Sequence, residues 1–180
     1  MEKLPKKGLR VLTKRLVSAI TLIELLVVIA MLAILAAVAG PNISDWNCRQ
    51  EIRNDFSRLN GFLEITRSEA INRNKTMMAN YNRNGFMIAY QVGKSCQVNT
   101  SIVSTNIPNL TLNKNDVVST HSSNQLYTCF NADGSSYGGQ FTISRQCGDK
   151  NYKYKSQIFS ATGFMEKLKF NSTNNKWEEL

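Results

Sequence analysis

The chain has 180 residues, a formal net charge of +9 and a pI near 9.5. Much of this charge precedes a long apolar run: residues 1–19 carry a net +5, from six Lys or Arg residues and one Glu, which leaves +4 for the rest. Because cations before a membrane-spanning segment report its cytoplasmic side, the high pI does not by itself indicate a nucleic-acid-binding protein.

The first two predicted segments are a processing segment and an apolar helix. Residues 1–19 are polar and basic, which is typical of a segment removed during maturation and excluded from the fold. Ile20–Gly40 follows and is apolar except for Thr21 and Glu24. About 20 helical residues cross the roughly 30 Å hydrocarbon core of a bilayer, so this run is long enough to span a membrane.

Three interpretations of the apolar run compete. Ala37-Val38-Ala39 fits the cleavage pattern of a secretory signal peptide, but the run exceeds the roughly 7–15 apolar residues of such a peptide and contains Glu24. A plain transmembrane anchor is the second interpretation. The third rests on a short basic leader, a small residue and the run TLIELLVVIAMLAILAAVAGP, which together closely resemble the type IV pilin and pseudopilin family. We favour the third interpretation.

This resemblance assigns roles to four residues. It implies cleavage by a prepilin peptidase between Ala19 and Ile20, and N-methylation of Ile20. The family usually has Gly before the cut and Phe after it, so this chain departs from the pattern at both positions. The resemblance also implies that Glu24 pairs with the free amine of a neighbouring subunit during assembly. Pro41 matches a family proline at which the helix can loosen in the filament.

The resemblance further implies a function, a location and partners. The expected function is that of a minor pilin or pseudopilin in a type IV pilus or a type II secretion pseudopilus. The expected location is the bacterial inner membrane, crossed once, with the head in the periplasm and on the cell surface after assembly. The expected partners are other major and minor pilins or pseudopilins, prepilin peptidase and the membrane. A DNA-binding minor pilin for natural transformation is the alternative.

Residues 41–75 are predicted to continue the helix as an amphipathic segment. Polar and charged residues fall largely off its apolar face, among them Arg49, Arg53, Asp55, Arg58, Glu64 and Arg67. The apolar residues recur at helical spacing, and they are Ile52, Phe56, Leu59, Leu63 and Ala70, with Phe62 and Ile65 beside them. The run LEITRSEAINRN at 63–74 resembles the GspH/FimT branch of the family, in which a similar run ends the first helix.

Residues 76–180 are predicted to form a β-rich globular head, which makes the fold α+β with a mostly antiparallel sheet. Residues 76–82 and 86–92 flank an Asn-Gly turn, the strongest short hairpin signal. A second hairpin is expected between 126–131 and 140–145, and a third between 152–159 and 166–170. Short strands are predicted at 101–104, 110–112 and 117–120, and the polar tail from Asn171 is predicted to be loose.

The chain has four cysteines, and all four are expected on the periplasmic side of the membrane, where disulfides persist. They are Cys48, Cys96, Cys129 and Cys147. Four cysteines allow three pairings, and sequence alone does not decide between them. Because Cys129 and Cys147 end the two strands of the expected second hairpin, we predict a Cys129–Cys147 bridge, which leaves Cys48–Cys96 as the other.

No catalytic, cofactor or metal site is predicted. The chain has a single histidine, His121, in a polar stretch, and it has no CxxC pair of the kind that holds zinc. A run of lysines interleaved with tyrosines could contact DNA, and its members are Lys150, Lys153, Lys155, Lys167 and Lys169. The more conservative interpretation is a solvated strand face with the lysines outward and the tyrosines inward, because charge runs have weak specificity.

Overall fold

A computed structural model of the chain describes residues 21–82, 84–93, 96, 103–104, 107–119 and 126–180, without the side chains of residues 37–42, 103 and 104. The predicted leader, the cleavage position between Ala19 and Ile20, the methylation of Ile20 and the single His121 lie outside the described residues. These sequence-based expectations remain predictions.

The chain divides into two compact units, Met1–Pro41 and Asn42–Leu180. We call the second the folded unit. A long helix, α1, runs from Leu22 to Arg73, and its backbone is helical at Pro41. Within the described residues, no helix combines the length and the hydropathy needed to cross a membrane.

The part of α1 in the folded unit buries the face that its spacing predicts. Ile52, Leu59, Leu63 and Ala70 are fully buried, and Phe56 and Phe62 are nearly so. Residues three and four apart share a helix face, so these side chains enter one core with the apolar faces of the strands. Ile65 lies on the exposed side of the helix.

Two antiparallel sheets complete the folded unit in its described part. The first sheet has the order β3-β2-β1-β6, with β4 also paired to β2, and the second has the order β10-β9-β8-β7-β5. The strands are β1 Met77–Asn82, β2 Phe86–Gln91, β3 Val103–Ser104, β4 Leu110–Thr111, β5 Val117–Ser119, β6 Tyr127–Phe130, β7 Gly139–Cys147, β8 Lys150–Ile158, β9 Met165–Asn171 and β10 Lys176–Glu179. The predicted α+β class is confirmed.

The first and third predicted hairpins are confirmed, and the second is wrong. β1 pairs with β2, and β8 pairs with β9. β6 and β7 are strands, but they belong to different sheets: β6 pairs with β1, and β7 pairs with β5 and β8. The intervening turn carries the chain from one sheet to the other, and Gly134, Gly138 and Gly139 adopt positive φ there. Alternation identified these strands but not their partners.

The predicted disulfide pairing is wrong for the same reason. The bridges are Cys48–Cys147 and Cys96–Cys129, with Cα–Cα distances of 5.8 and 5.9 Å. Cys129 lies in the first sheet and Cys147 at the end of β7 in the second, so the two do not meet. The first bridge joins α1 to the second sheet. The second joins the segment after β2 to β6.

The tail is also more ordered than predicted. β10 pairs with β9, and Trp177 lies opposite Phe170 with ring centroids 5.3 Å apart in an edge-on contact. The Nζ of Lys155 lies 4.7 Å from the centre of the Trp177 ring. These aromatic and cation–π contacts supply the apolar anchor that the polar composition of the tail did not suggest.

Candidate functional site

The N-terminal end of α1 carries the predicted assembly residue, Glu24. The Oγ1 of Thr21 accepts a hydrogen bond from the backbone N–H of Glu24 at 3.3 Å, as an N-cap residue does. The carbonyl oxygen of Thr21 accepts another from the N–H of Leu25 at 3.2 Å. In the described part of the chain, the carboxylate of Glu24 has no ion pair, and its side chain is exposed. A partner for this carboxylate would therefore have to come from elsewhere.

The residues around Glu24 form an apolar surface that extends around the helix. From Leu22 to Leu35 the large apolar side chains are 47–77% exposed in the single chain. Soluble monomers rarely expose contiguous apolar patches above a few hundred Å². Large apolar patches are typical of protein or membrane interaction sites, and Glu24 is the single charged side chain from Leu22 to Ala36.

A second charged site, inside the folded unit, was missed by the sequence analysis. The Arg145 side chain on β7 is only 2% exposed and forms three ion pairs. Its Nε donates to Asp116 at 2.6 Å, its Nη2 to Asp55 at 2.7 Å and its Nη1 to Glu51 at 2.8 Å. These bonds join β7 to α1 and to the loop before β5. The buried position of Asp55 corrects its predicted place among the outward charges of the helix.

One signal in the sequence could have revealed this network. Phe141, Ile143, Arg145 and Cys147 alternate along β7 and so share the buried face. An arginine on a buried strand face requires an internal carboxylate partner. Its partners come from distant parts of the chain, and periodicity does not identify them.

Burial is the main influence on the acid at the centre of this network. The pKa of Asp116 is raised to about 6, chiefly by burial; the ion pair with Arg145 lowers it, and the neighbouring Asp55 contributes to the rise. In the part of the chain that the structure describes, no donor reaches the buried Oδ2 of Asp116, which favours its protonation. Burial also raises the pKa of Tyr81, with a further contribution from the charge of Asp116.

The raised pKa of Asp116 predicts a specific pH dependence. Because the folded state binds this proton more tightly than the unfolded chain, whose Asp pKa is about 3.9, the contribution of Asp116 to stability is complete below about pH 4. It is lost as the pH rises through about 6. Asp116→Asn should therefore remove this loss of unfolding free energy between about pH 4 and pH 6, as measured by urea denaturation at a series of pH values. Asp149→Asn, at an exposed acid, is the control and should leave the change of unfolding free energy with pH as it is in the unmodified chain. The same result in Asp116→Asn would contradict the raised pKa assigned to Asp116.

The lysines proposed for DNA contact do not share one face of the second sheet. Lys153 and Lys155 lie on its outer face, where their Nζ atoms are 5.4 Å from the Phe170 ring and 4.7 Å from the Trp177 ring. Tyr154, between them, is buried on the opposite face. This is the alternation of outward lysine and inward tyrosine that the conservative interpretation predicts for β8.

The remaining lysines lie elsewhere on the sheet. Lys167 and Lys169 lie opposite inward residues of β8, on the face that packs toward α1. The Nζ of Lys167 forms an ion pair with Glu64 of that helix at 3.2 Å. Lys150 lies at the start of β8, opposite Cys147. The five lysines thus form no single cationic surface, and DNA contact stays a prediction that their arrangement does not favour.

Arg67 holds the end of α1 to two turns. Its Nε donates to the carbonyl oxygen of Gly134 at 2.9 Å and its Nη2 to that of Thr162 at 2.8 Å. Gly163 has φ +63°, and a Cβ there would collide with the Gly134 oxygen and lie 2.8 Å from Arg67 Nε. Only glycine fits this position.

Among the described residues, no group of three or more His, Cys, Asp or Glu side chains could hold a metal.

Comparison with known proteins gives one family and two related folds. The family described as Type II transport protein GspH matches residues 56–163. The type IV minor pilin FimU of Pseudomonas aeruginosa is similar in structure, with a TM-score of 0.51 and 16% identity over 72% of this chain and 94% of that one. The minor pseudopilin EpsH from the type 2 secretion system of Vibrio cholerae has a TM-score of 0.43 and 9% identity over 74% and 95% of the two chains. None of the curated proteins compared with the chain matches it.

Proposed function

The chain belongs to the family described as Type II transport protein GspH, and we propose that it is a structural subunit of the minor pilin or pseudopilin class. In this proposal it enters its filament through the N-terminal half of α1. In this proposal prepilin peptidase cuts between Ala19 and Ile20, and Ile20 becomes the methylated N-terminus. Before assembly the chain resides in the inner membrane with its folded unit in the periplasm. It then assembles with other major and minor pilins or pseudopilins.

The observation that carries this proposal is the exposed apolar surface around one unpaired carboxylate. Among the described residues, none forms an ion pair with the carboxylate of Glu24. An acid in an apolar environment is stable when a cation faces it, and removal of one partner leaves the other charge uncompensated. The free amine of a neighbouring subunit, one helical turn from its own Glu24, has the complementary charge.

The cysteines support the proposed compartment. Each of the four is in a disulfide, and both bridges lie in the folded unit. Disulfides form and persist in the bacterial periplasm and at cell surfaces, and they are rare in the cytosol. The periplasmic orientation agrees with the cationic segment before the apolar run, which the positive-inside rule places in the cytoplasm.

Glu24→Val tests the proposed assembly. We expect normal processing, since the substitution leaves the cleavage position intact, but a loss of at least about tenfold in filament incorporation, because the amine of the neighbouring subunit is left uncompensated. Processing is measured by intact mass and N-terminal sequencing, and incorporation by quantifying the chain in sheared, purified filaments. Glu166→Val, at an acid without an ion pair in the described part of the chain, is the control and should incorporate normally. Normal incorporation of Glu24→Val would remove the role assigned to Glu24.

A further inference from the structure

A cationic groove runs between α1 and the second sheet, and the assembly role does not account for it. The cavity has a volume of about 200 Å³ and lies entirely within the folded unit. Its walls combine cations with aromatic side chains, and the lining residues are Trp46, Arg49, Gln50, Arg53, Tyr152, Tyr154 and Lys169. We call it the cationic groove.

The groove has an excess of positive charge. Arg49 is paired with Asp45, with its Nε 3.5 Å from Oδ2. Arg53 donates from its Nε to the hydroxyl of buried Tyr154 at 3.3 Å, and it has no ion pair within 4.0 Å in the described part of the chain. Lys169 likewise has none at that distance among the described residues. Its cross-strand neighbour is an acid, Glu178, whose carboxylate accepts hydrogen bonds from two asparagines.

These side chains match the chemistry of a phosphate group. The terminal nitrogens of Arg53 have no hydrogen bond to the described residues. A guanidinium fork binds phosphate oxygens in two parallel hydrogen bonds. Lys169 adds a compact cation to the same cavity. Trp46 is 53% exposed at the rim of the groove and offers an amphipathic ring with a polar N–H.

The position of the groove in the chain indicates the source of that phosphate. Trp46 follows Gly40, the last residue of the apolar run, by six residues. Even a fully extended chain advances at most about 3.6 Å per residue, so Trp46 lies within about 22 Å of the end of that run. Tryptophan rings and basic side chains are enriched where a membrane-spanning segment meets the lipid headgroups.

We propose that the cationic groove binds the phosphate of an anionic phospholipid beside the membrane-inserted helix, with Arg53 and Lys169 as the phosphate ligands and Trp46 at the headgroup level. This inference rests on the membrane insertion in the proposed function. The lipid would position the folded unit on the membrane before assembly.

The same residues do not form a track for nucleic acid. Beyond Arg53 the groove continues as a mostly apolar cavity of about 240 Å³, lined in part by Phe56 and Leu180. Lys167 borders this second cavity, but its Nζ lies 3.2 Å from a Glu64 oxygen. Single-stranded nucleic acid requires cations along several nucleotides, whereas here they are concentrated at one end.

The test uses the full chain in detergent with Trp177→Phe, which leaves Trp46 as the single tryptophan. Its emission is followed during titration with dihexanoyl phosphatidylglycerol, dihexanoyl phosphatidylcholine, glycerol phosphate or a single-stranded oligonucleotide of about ten nucleotides. We expect a saturable change with the anionic lipid only. The affinity for the anionic lipid should fall about fivefold in Lys169→Gln, since each basic residue near an anionic surface contributes about 1 kcal/mol. It should fall further in the double variant that combines Arg53→Gln with Lys169→Gln.

Lys153→Gln with Lys155→Gln is the matched control, because it removes the same charge from the outer face of the same sheet and should change the affinity less than about twofold. Equal binding of both lipids, equally tight binding of glycerol phosphate, a response to the oligonucleotide alone, or no effect of the groove variants would overturn the proposal. Flotation with phosphatidylcholine vesicles separates the two hypotheses. If the chain floats with the vesicles but the groove variants do not change lipid affinity, this inference alone is wrong. If the chain does not float with the vesicles, the proposed membrane insertion is wrong as well.

Discussion

Arg145→Met is expected to lower the free energy of unfolding of the folded unit by about 3–5 kcal/mol, because it leaves buried Asp116 without its cation and Asp55 with only the exposed Arg58. The side chain of Asp116 is fully buried and that of Asp55 nearly so. Methionine has a similar length and fills much of the same volume, so the loss reports charge rather than a cavity. Urea denaturation of the full chain in detergent, followed by circular dichroism, measures the change.

Arg58 provides a matched control for this prediction. It pairs with the same carboxylate, with its Nη1 3.1 Å from Asp55 Oδ1, but its side chain is 53% exposed. Exposed ion pairs contribute about 0–1 kcal/mol, so Arg58→Met should have a small effect. A loss below about 1 kcal/mol in Arg145→Met, similar to that in Arg58→Met, would contradict the assigned role of the network.

A compensated variant separates the two costs within the network. Arg145→Met combined with Asp55→Leu and Asp116→Leu removes the stranded carboxylates together with their cation. Well-packed apolar replacements of buried ion pairs are often neutral or stabilising, so this variant should recover most of the lost stability. Glu51 remains in place because its side chain is 60% exposed and needs no internal partner. Failure to recover would indicate that the shape of Arg145, rather than its charge, holds β7 against α1.

Local patterns in the sequence predicted the elements whose partners are close along the chain. The apolar face of α1 from Ile52 to Ala70 follows from helical spacing alone. The β1–β2 hairpin follows from alternation around an Asn-Gly turn, in which Gly85 has φ +89°. The lone carboxylate of Glu24 was identified because it interrupts an apolar run.

Contacts between distant parts of the chain were not predictable in this way. Period-two alternation places a side chain on one face of a strand, but it does not state which strand lies beside it. The sequence therefore did not predict the β6–β1 pairing, the two disulfide pairings or the partners of Arg145. The turn between β9 and β10 contains Asn175, which adopts φ +55°, as asparagine does in tight turns.

The two disulfides are expected to contribute unequally to stability, and the larger loss should follow removal of Cys48–Cys147. This bridge spans 99 residues, against 33 for Cys96–Cys129. The chain-entropy relation then gives contributions of about 4.7 and 3.7 kcal/mol, because the longer loop restricts the unfolded chain more. Paired serine substitutions at each bridge keep the comparison free of unpaired thiols.

The order of the two losses distinguishes two origins of the stabilisation. If restriction of the unfolded chain dominates, urea denaturation should rank the Cys48→Ser, Cys147→Ser protein about 1 kcal/mol below the Cys96→Ser, Cys129→Ser protein. If native packing dominates, the two losses should be similar, because each bridge joins one buried cysteine, Cys129 or Cys147, to one half-buried cysteine. In the folded state Cys48–Cys147 joins α1 to the second sheet covalently, and Arg145, two residues before Cys147, joins the same two elements through charge.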